Sequence, residues 1–149
     1  MSAAEMSAAE MSAAERSAGG SGTSAGGAEV TTVVLQVEGP GNSVRLARLT
    51  AAALCAELDF DIEAVEDVRI AVDELVSFLN GGGGALTVTY RCDGDGLEIS
   101  GAQLTGPTGP VGPERLSEMA EAIVAATTDS FEVGGDAARR WFVLRKRGG

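Results

Sequence analysis

Asp61–Asn80 reads DIEAVEDVRIAVDELVSFLN, and its apolar residues fall at helical spacing. Val65, Val68, Val72, Leu75, Val76 and Leu79 make a continuous stripe, which predicts a long helix with one side on a core. Asp61 stands where an N-cap belongs, and Glu63 and Glu66 favour the positive end of the helix dipole. At about 100° per residue, Glu74 points almost directly away from the stripe, between Asp67 and Phe78. A lone carboxylate on an outer helical face is ordinarily a solvated surface residue. Ile70, Ala71 and Phe78 flank this one, so the second face is also partly apolar and is expected to be covered.

Outward from this helix the chain reads as an α+β order. Val30 to Val37, VTTVVLQV, is rich in β-branched residues and predicts a strand, ended by Gly39, Pro40 and Gly41. Asn42 or Ser43 can cap a first helix carried by Val44, Ala47, Ala51, Leu54, Cys55 and Leu58. After the second helix comes the run Gly81 to Gly84. A Walker-type phosphate loop follows a strand and ends in Gly-Lys-Ser/Thr, whereas this run follows a helix and leads into Ala85-Leu86, so it reads as a connector. Leu86 to Tyr90 and Leu97 to Ser100 predict a hairpin, with two Asp-Gly pairs between them as a strong turn signal. The stretch Gly106 to Pro113, GPTGPVGP, predicts a semi-stiff loop that carries no lysine or arginine. A third helix is expected from Glu114 onward, through Leu116, Met119, Ala120, Ile123 and Val124. Ser130 to Val133 and Arg140 to Arg145 predict a closing hairpin, with Trp141, Val143 and Phe131 facing the helices or the opposite sheet face. The expected architecture is a two-layer sandwich, a mixed sheet covered by helices on one face.

The string DVRIAVDEL, within an amphipathic helix and ahead of a hairpin, resembles the anti-sigma-factor serine kinases of bacteria. That family has the histidine-kinase-like ATPase (Bergerat, or GHKL) fold, and its sequences typically read D-L-R-L-A-V-x-E-A-x-x-N at this place. The resemblance implies that Glu74 stands where a glutamate orients a water for phosphoryl transfer. The asparagine that would hold the magnesium of ATP is replaced by Phe78, and a phenyl ring offers no oxygen to a hard cation. Asn80 does not restore the pattern, being rotated by about 200° around the helix. The family's adenine-reading aspartate, in a D-x-G-x-G box after the second hairpin strand, is also missing, because Ala102-Gln103-Leu104-Thr105-Gly106 stands there. Asp93-Gly94-Asp95-Gly96 belongs to the turn itself and is not that box. GPTGPVGP takes the place of the family's ATP lid. The resemblance extends by element order over roughly Glu29 to Arg147, within an expected domain of residues 29–149, and at residue level it is specific only in the long helix.

Composition bounds the function. The chain has 149 residues, 44% of them hydrophobic, with four Phe, one Trp and one Tyr, so one domain with a mainly aliphatic core is expected. No run approaches a membrane span, and the N-terminus lacks the pattern of a secretory signal, so a cytoplasmic protein is expected. Histidine is absent, which excludes histidine acid–base chemistry and a Ser-His-Asp triad. Cys55 and Cys92 are too few for a disulfide framework or a zinc site. The net charge of −11, from 22 acidic and 11 basic residues, makes nucleic acid an unsuitable partner and favours a positively charged one. The cluster Arg139, Arg140, Arg145, Lys146 and Arg147 reads either as a solvated edge strand or as a local docking patch for an acidic surface. Residues 1–28, with MSAAE three times in succession and then a Gly/Ser/Ala stretch, read as a disordered low-complexity tail without assigned function.

Three functions follow as expectations. The resemblance implies a homodimeric regulator that sequesters an alternative sigma factor and is released by an anti-anti-sigma partner, with a degenerate ATP site. The alternatives are an active ATP- and magnesium-dependent serine kinase of that partner, and a protein-binding module unrelated to transcription. Glu63, Glu66 and Asp67, at the acidic start of the long helix, are the residues expected to meet a basic partner.

Overall fold

The computed structural model describes residues 30–38, 41–81, 83–94, 96–106, 109, 112–113, 115–136 and 138–148. The expected tail, residues 1–28, lies outside them. In chain order the described elements are β1 (Val30–Val37), α1 (Ser43–Glu57), α2 (Ile62–Leu79), β2 (Leu86–Asp93), β3 (Gly96–Gln103), α3 (Glu118–Thr127), β4 (Ser130–Gly135) and β5 (Arg140–Arg147).

The strands form one sheet in the order β1-β2-β3-β5-β4. Every neighbouring pair is antiparallel, so the sheet is not the mixed one that the element order suggests. Chain direction explains the correction. Two helices separate β1 from β2, so the chain crosses the sheet twice and re-enters antiparallel, where a single crossover helix would have made the strands parallel. β3 and β4 do run the same way, but β5 lies between them.

All three helices cover one face. Strand residues alternate between that face and the other, as the two-residue period requires. Leu86, Val88, Tyr90, Leu97, Ile99, Phe142 and Leu144 point inward and are fully buried. Thr89, Ser100 and Val143, aligned across the sheet, lie on the open face. Trp141 and Val143 belong to that open face, while Phe131 packs against the core.

α2 lies between α1 and α3 and buries Ala64, Val68, Ala71, Val72, Leu75, Val76 and Leu79. Of the second apolar face anticipated around Glu74, Ala71 is covered and Phe78 half-covered, whereas Ile70 is exposed. Asp61 caps the helix as expected, accepting from the Ala64 N–H at 2.8 Å. α3 begins later than Glu114, because Ser117 supplies its cap by accepting from the Ala120 N–H at 3.0 Å. The Tyr90 hydroxyl donates to the Ala47 carbonyl at 2.9 Å, which fastens α1 to the sheet and satisfies a buried phenol. Both thiols are buried, and burial raises the pKa of each, that of Cys55 to about 11, so they sit as unreactive core residues.

Candidate functional site

The C-terminal end of α2, the end of β3, the start of β5 and the loop after β3 meet at one end of the sheet. Strand register explains the meeting. Gln103 is the last residue of β3 and shares the inward-facing parity of Leu97, Ile99 and Gly101. Arg140, the first residue of β5, shares the parity of Phe142 and Leu144. Both polar side chains are thus directed at the helical layer just beyond the apolar core.

Arg140 is only 4% exposed. Its Nη1 donates to the Phe78 carbonyl at 2.9 Å and its Nη2 to the Gly112 carbonyl at 2.6 Å. The guanidinium carbon lies 4.9 Å from the centroid of the Phe78 ring, within cation–π range. The Gln103 amide is used on both sides: Nε2 donates to the Leu79 carbonyl at 2.8 Å, and Oε1 accepts from the Arg140 N–H at 2.9 Å. Gly112 in turn donates its N–H to the Gly81 carbonyl at 3.2 Å. A helix leaves its last carbonyls unsatisfied and partly negative. α2 has no basic residue of its own in the last turn, and Arg140 and Gln103 supply the missing donors from the sheet.

The places that the family resemblance assigns to metal, adenine and lid therefore do come together, around Phe78, Gln103 and Gly112. What they surround is a protein guanidinium. A magnesium ion does not fit this set. Phe78 provides a ring already faced by a positive charge, and among the described residues no group of three Asp, Glu or Cys side chains is placed to hold a metal. Asn80 Oδ1 is a buried acceptor without a partner among the described residues, but it is one neutral oxygen where magnesium requires near-octahedral oxygen ligation. Glu74 is half-buried, one helical turn before Phe78.

The remaining expected residues lie together on the first turns of α2, and two of the three have partners within the chain. Glu63 is exposed in the first turn of α2, Glu66 pairs with Arg69 at 2.6 Å, and Asp67 accepts from Lys146 Nζ at 3.0 Å. The basic cluster is not a solvated edge, since β5 lies between β3 and β4. Arg139 donates to the Gln103 and Leu104 carbonyls, Arg145 pairs with Glu98, and Lys146 reaches α2. Arg140 is the residue at the centre of the cluster around Phe78, Gln103 and Gly112, and the sequence does not announce it as such. The signal for it is the strand alternation, which puts Arg140 in phase with Phe142 and Leu144.

An open groove of about 930 Å³ lies at the other end of the sheet, lined by Arg91, Asp93, Glu98, Asp129, Arg145 and Arg147 among others. Its charges are mixed and largely answer one another, because Glu98 sits opposite Arg91 on one side and Arg145 on the other. It is remote from the end of α2.

No protein-family model and no curated protein matches the sequence. Among solved structures, the chain is similar to the crystal structure of the RsbU and RsbW domains of Rv1364c from Mycobacterium tuberculosis. The TM-score is 0.61 at 17% identity over 79% of this chain. The likeness is one of fold. This chain spans 32% of that one, and an α+β sandwich is what the two share.

Proposed function

We propose that the protein is an anti-sigma-factor-like regulator that works by sequestration without transferring phosphate. The shared fold makes this class of regulator a reasonable starting point. The observation that carries the reading is the Arg140–Phe78 contact: the place the resemblance gives to a metal ligand holds an aromatic ring under a guanidinium. A regulator of this kind binds an alternative sigma factor as a homodimer and releases it when an anti-anti-sigma partner competes. Exchange is then governed by relative affinity and concentration. The encounter would take place in the cytoplasm. No described helix is long and apolar enough to cross a membrane.

The exposed start of α2 suits such a partner. Ile62 is 84% exposed and is flanked in the chain by Asp61 and Glu63, an apolar contact ringed by negative charge. A basic, DNA-binding partner would meet complementary charge there.

The test is reconstitution with purified sigma factor and anti-anti-sigma protein. The expected outcome is a stable sigma complex that the second partner dissolves in the absence of nucleotide. Calorimetric titration of the protein alone with magnesium and ATP is expected to show no micromolar binding. Release that requires ATP, or phosphoserine appearing on the anti-anti-sigma protein, would overturn the reading in favour of an active kinase.

A further inference from the structure

We propose that Arg140 is a built-in ligand of this site, holding Gly112 against the end of α2 without the help of a nucleotide. The functional meaning of this contact rests on the regulator reading above, but the clamp stands on geometry alone. Three features are arranged around the guanidinium and have no other evident use. Gly81 makes room for it, since a Cβ there would lie 2.9 Å from Arg140 Nη1. The carbonyls of Phe78 and Gly112, from two segments far apart in the chain, converge on its two terminal nitrogens. The Phe78 ring faces the charge from a third direction.

The electrostatics favour a cation here. The last turn of a helix carries partial negative charge, and the Phe78 carbonyl belongs to that turn. A guanidinium also suits the place better than an ammonium, because its fixed planar fork reaches two carbonyls while its face lies on a ring. The Gly112–Gly81 backbone bond then closes a ring of contacts, so removing the side chain leaves Gly112 tied to the end of α2 by that bond alone. In this arrangement the first glycine of the run serves the protein's own arginine.

The decisive experiment is chemical rescue in the full chain. Arg140→Ala should raise amide hydrogen exchange at Gly112, whose N–H is held by the Gly81 carbonyl, by about tenfold or more, the scale expected when charge-assisted hydrogen bonds are lost. Millimolar methylguanidinium should restore protection in the variant and leave the wild type unchanged, whereas methylammonium should restore little. Exchange that does not rise, or a folded variant that methylguanidinium does not rescue, overturns the proposal. If Arg140→Ala cannot be purified folded, Arg140→Lys keeps the charge but cannot reach both carbonyls at once and should loosen the Gly112 amide in the same way. Unchanged exchange in Arg140→Lys is equally fatal. Sigma-factor binding plays no part in these measurements, so the clamp and the regulator reading can fail separately.

Discussion

At Arg140 a full positive charge is carried into a nearly dry site and met by carbonyls and a ring. Burying a charge costs heavily unless donors and acceptors are matched, so such a contact persists where the surroundings are built for it. Phe78, which in the sequence reads only as the loss of a metal ligand, is one wall of that surrounding. Phe78 is legible from the helix alone; the arginine it meets is not, because the two are 62 residues apart. Glu74 is the companion case. On the proposed regulator reading, its carboxylate has no metal-bound phosphate to serve. Glu74→Gln is therefore expected to change stability by less than about 1 kcal/mol in urea unfolding and to leave sigma-factor affinity unaltered. A phosphotransfer activity present in the wild type and abolished in this variant would restore Glu74 to catalysis.

The elements differ in how openly the sequence declares them. α2 is legible because its apolar positions cover more than one face, and a helix with neighbours on two sides needs that width. The hairpins are legible from turn chemistry, and Asp93 pairs with Gly96 as the two Asp-Gly steps suggest. Strand order is not, since nothing local to Arg140–Arg147 states that β5 lies inside the sheet. Its three consecutive charges, Arg145, Lys146 and Arg147, resemble an edge device. Partners from outside the strand, Glu98 and Asp67, make the interior position tolerable for two of them. Packing inside the sheet offers a direct check at Gly101. A Cβ there would run into the Phe142 ring at Cε1, and the ring itself is fully buried. Gly101→Ala should therefore cost about 1–3 kcal/mol, the usual range for overpacking a core, read as a lower urea midpoint with an unchanged slope. Wild-type stability in this variant would mean that the ring has room to turn.

For the molecule as a whole, charge is the dominant surface property, at −11 over 149 residues. If a basic partner is captured through this field, association should slow on the order of tenfold as salt rises to physiological strength, where screening acts over about 8–10 Å. Glu63→Lys with Glu66→Lys should slow it further in stopped-flow mixing, while Asp67 is left intact because it anchors Lys146. A rate indifferent to salt would shift attention from charge to the exposed Ile62. The same sheet that carries this surface also sets where the chain comes and goes. Val30 pairs with Asp93, Asp93 with Gly96, and Gly96 with Arg147, so the first and last strand residues stand in one row. Arg140 and Gly112 stand at the opposite end. The row spans three strand spacings, about 14 Å, which a bridge of a few residues can cross. The fold can consequently be spliced into a larger polypeptide, tethered from either terminus or re-cut with its ends joined, and the clamp would be left undisturbed by the graft.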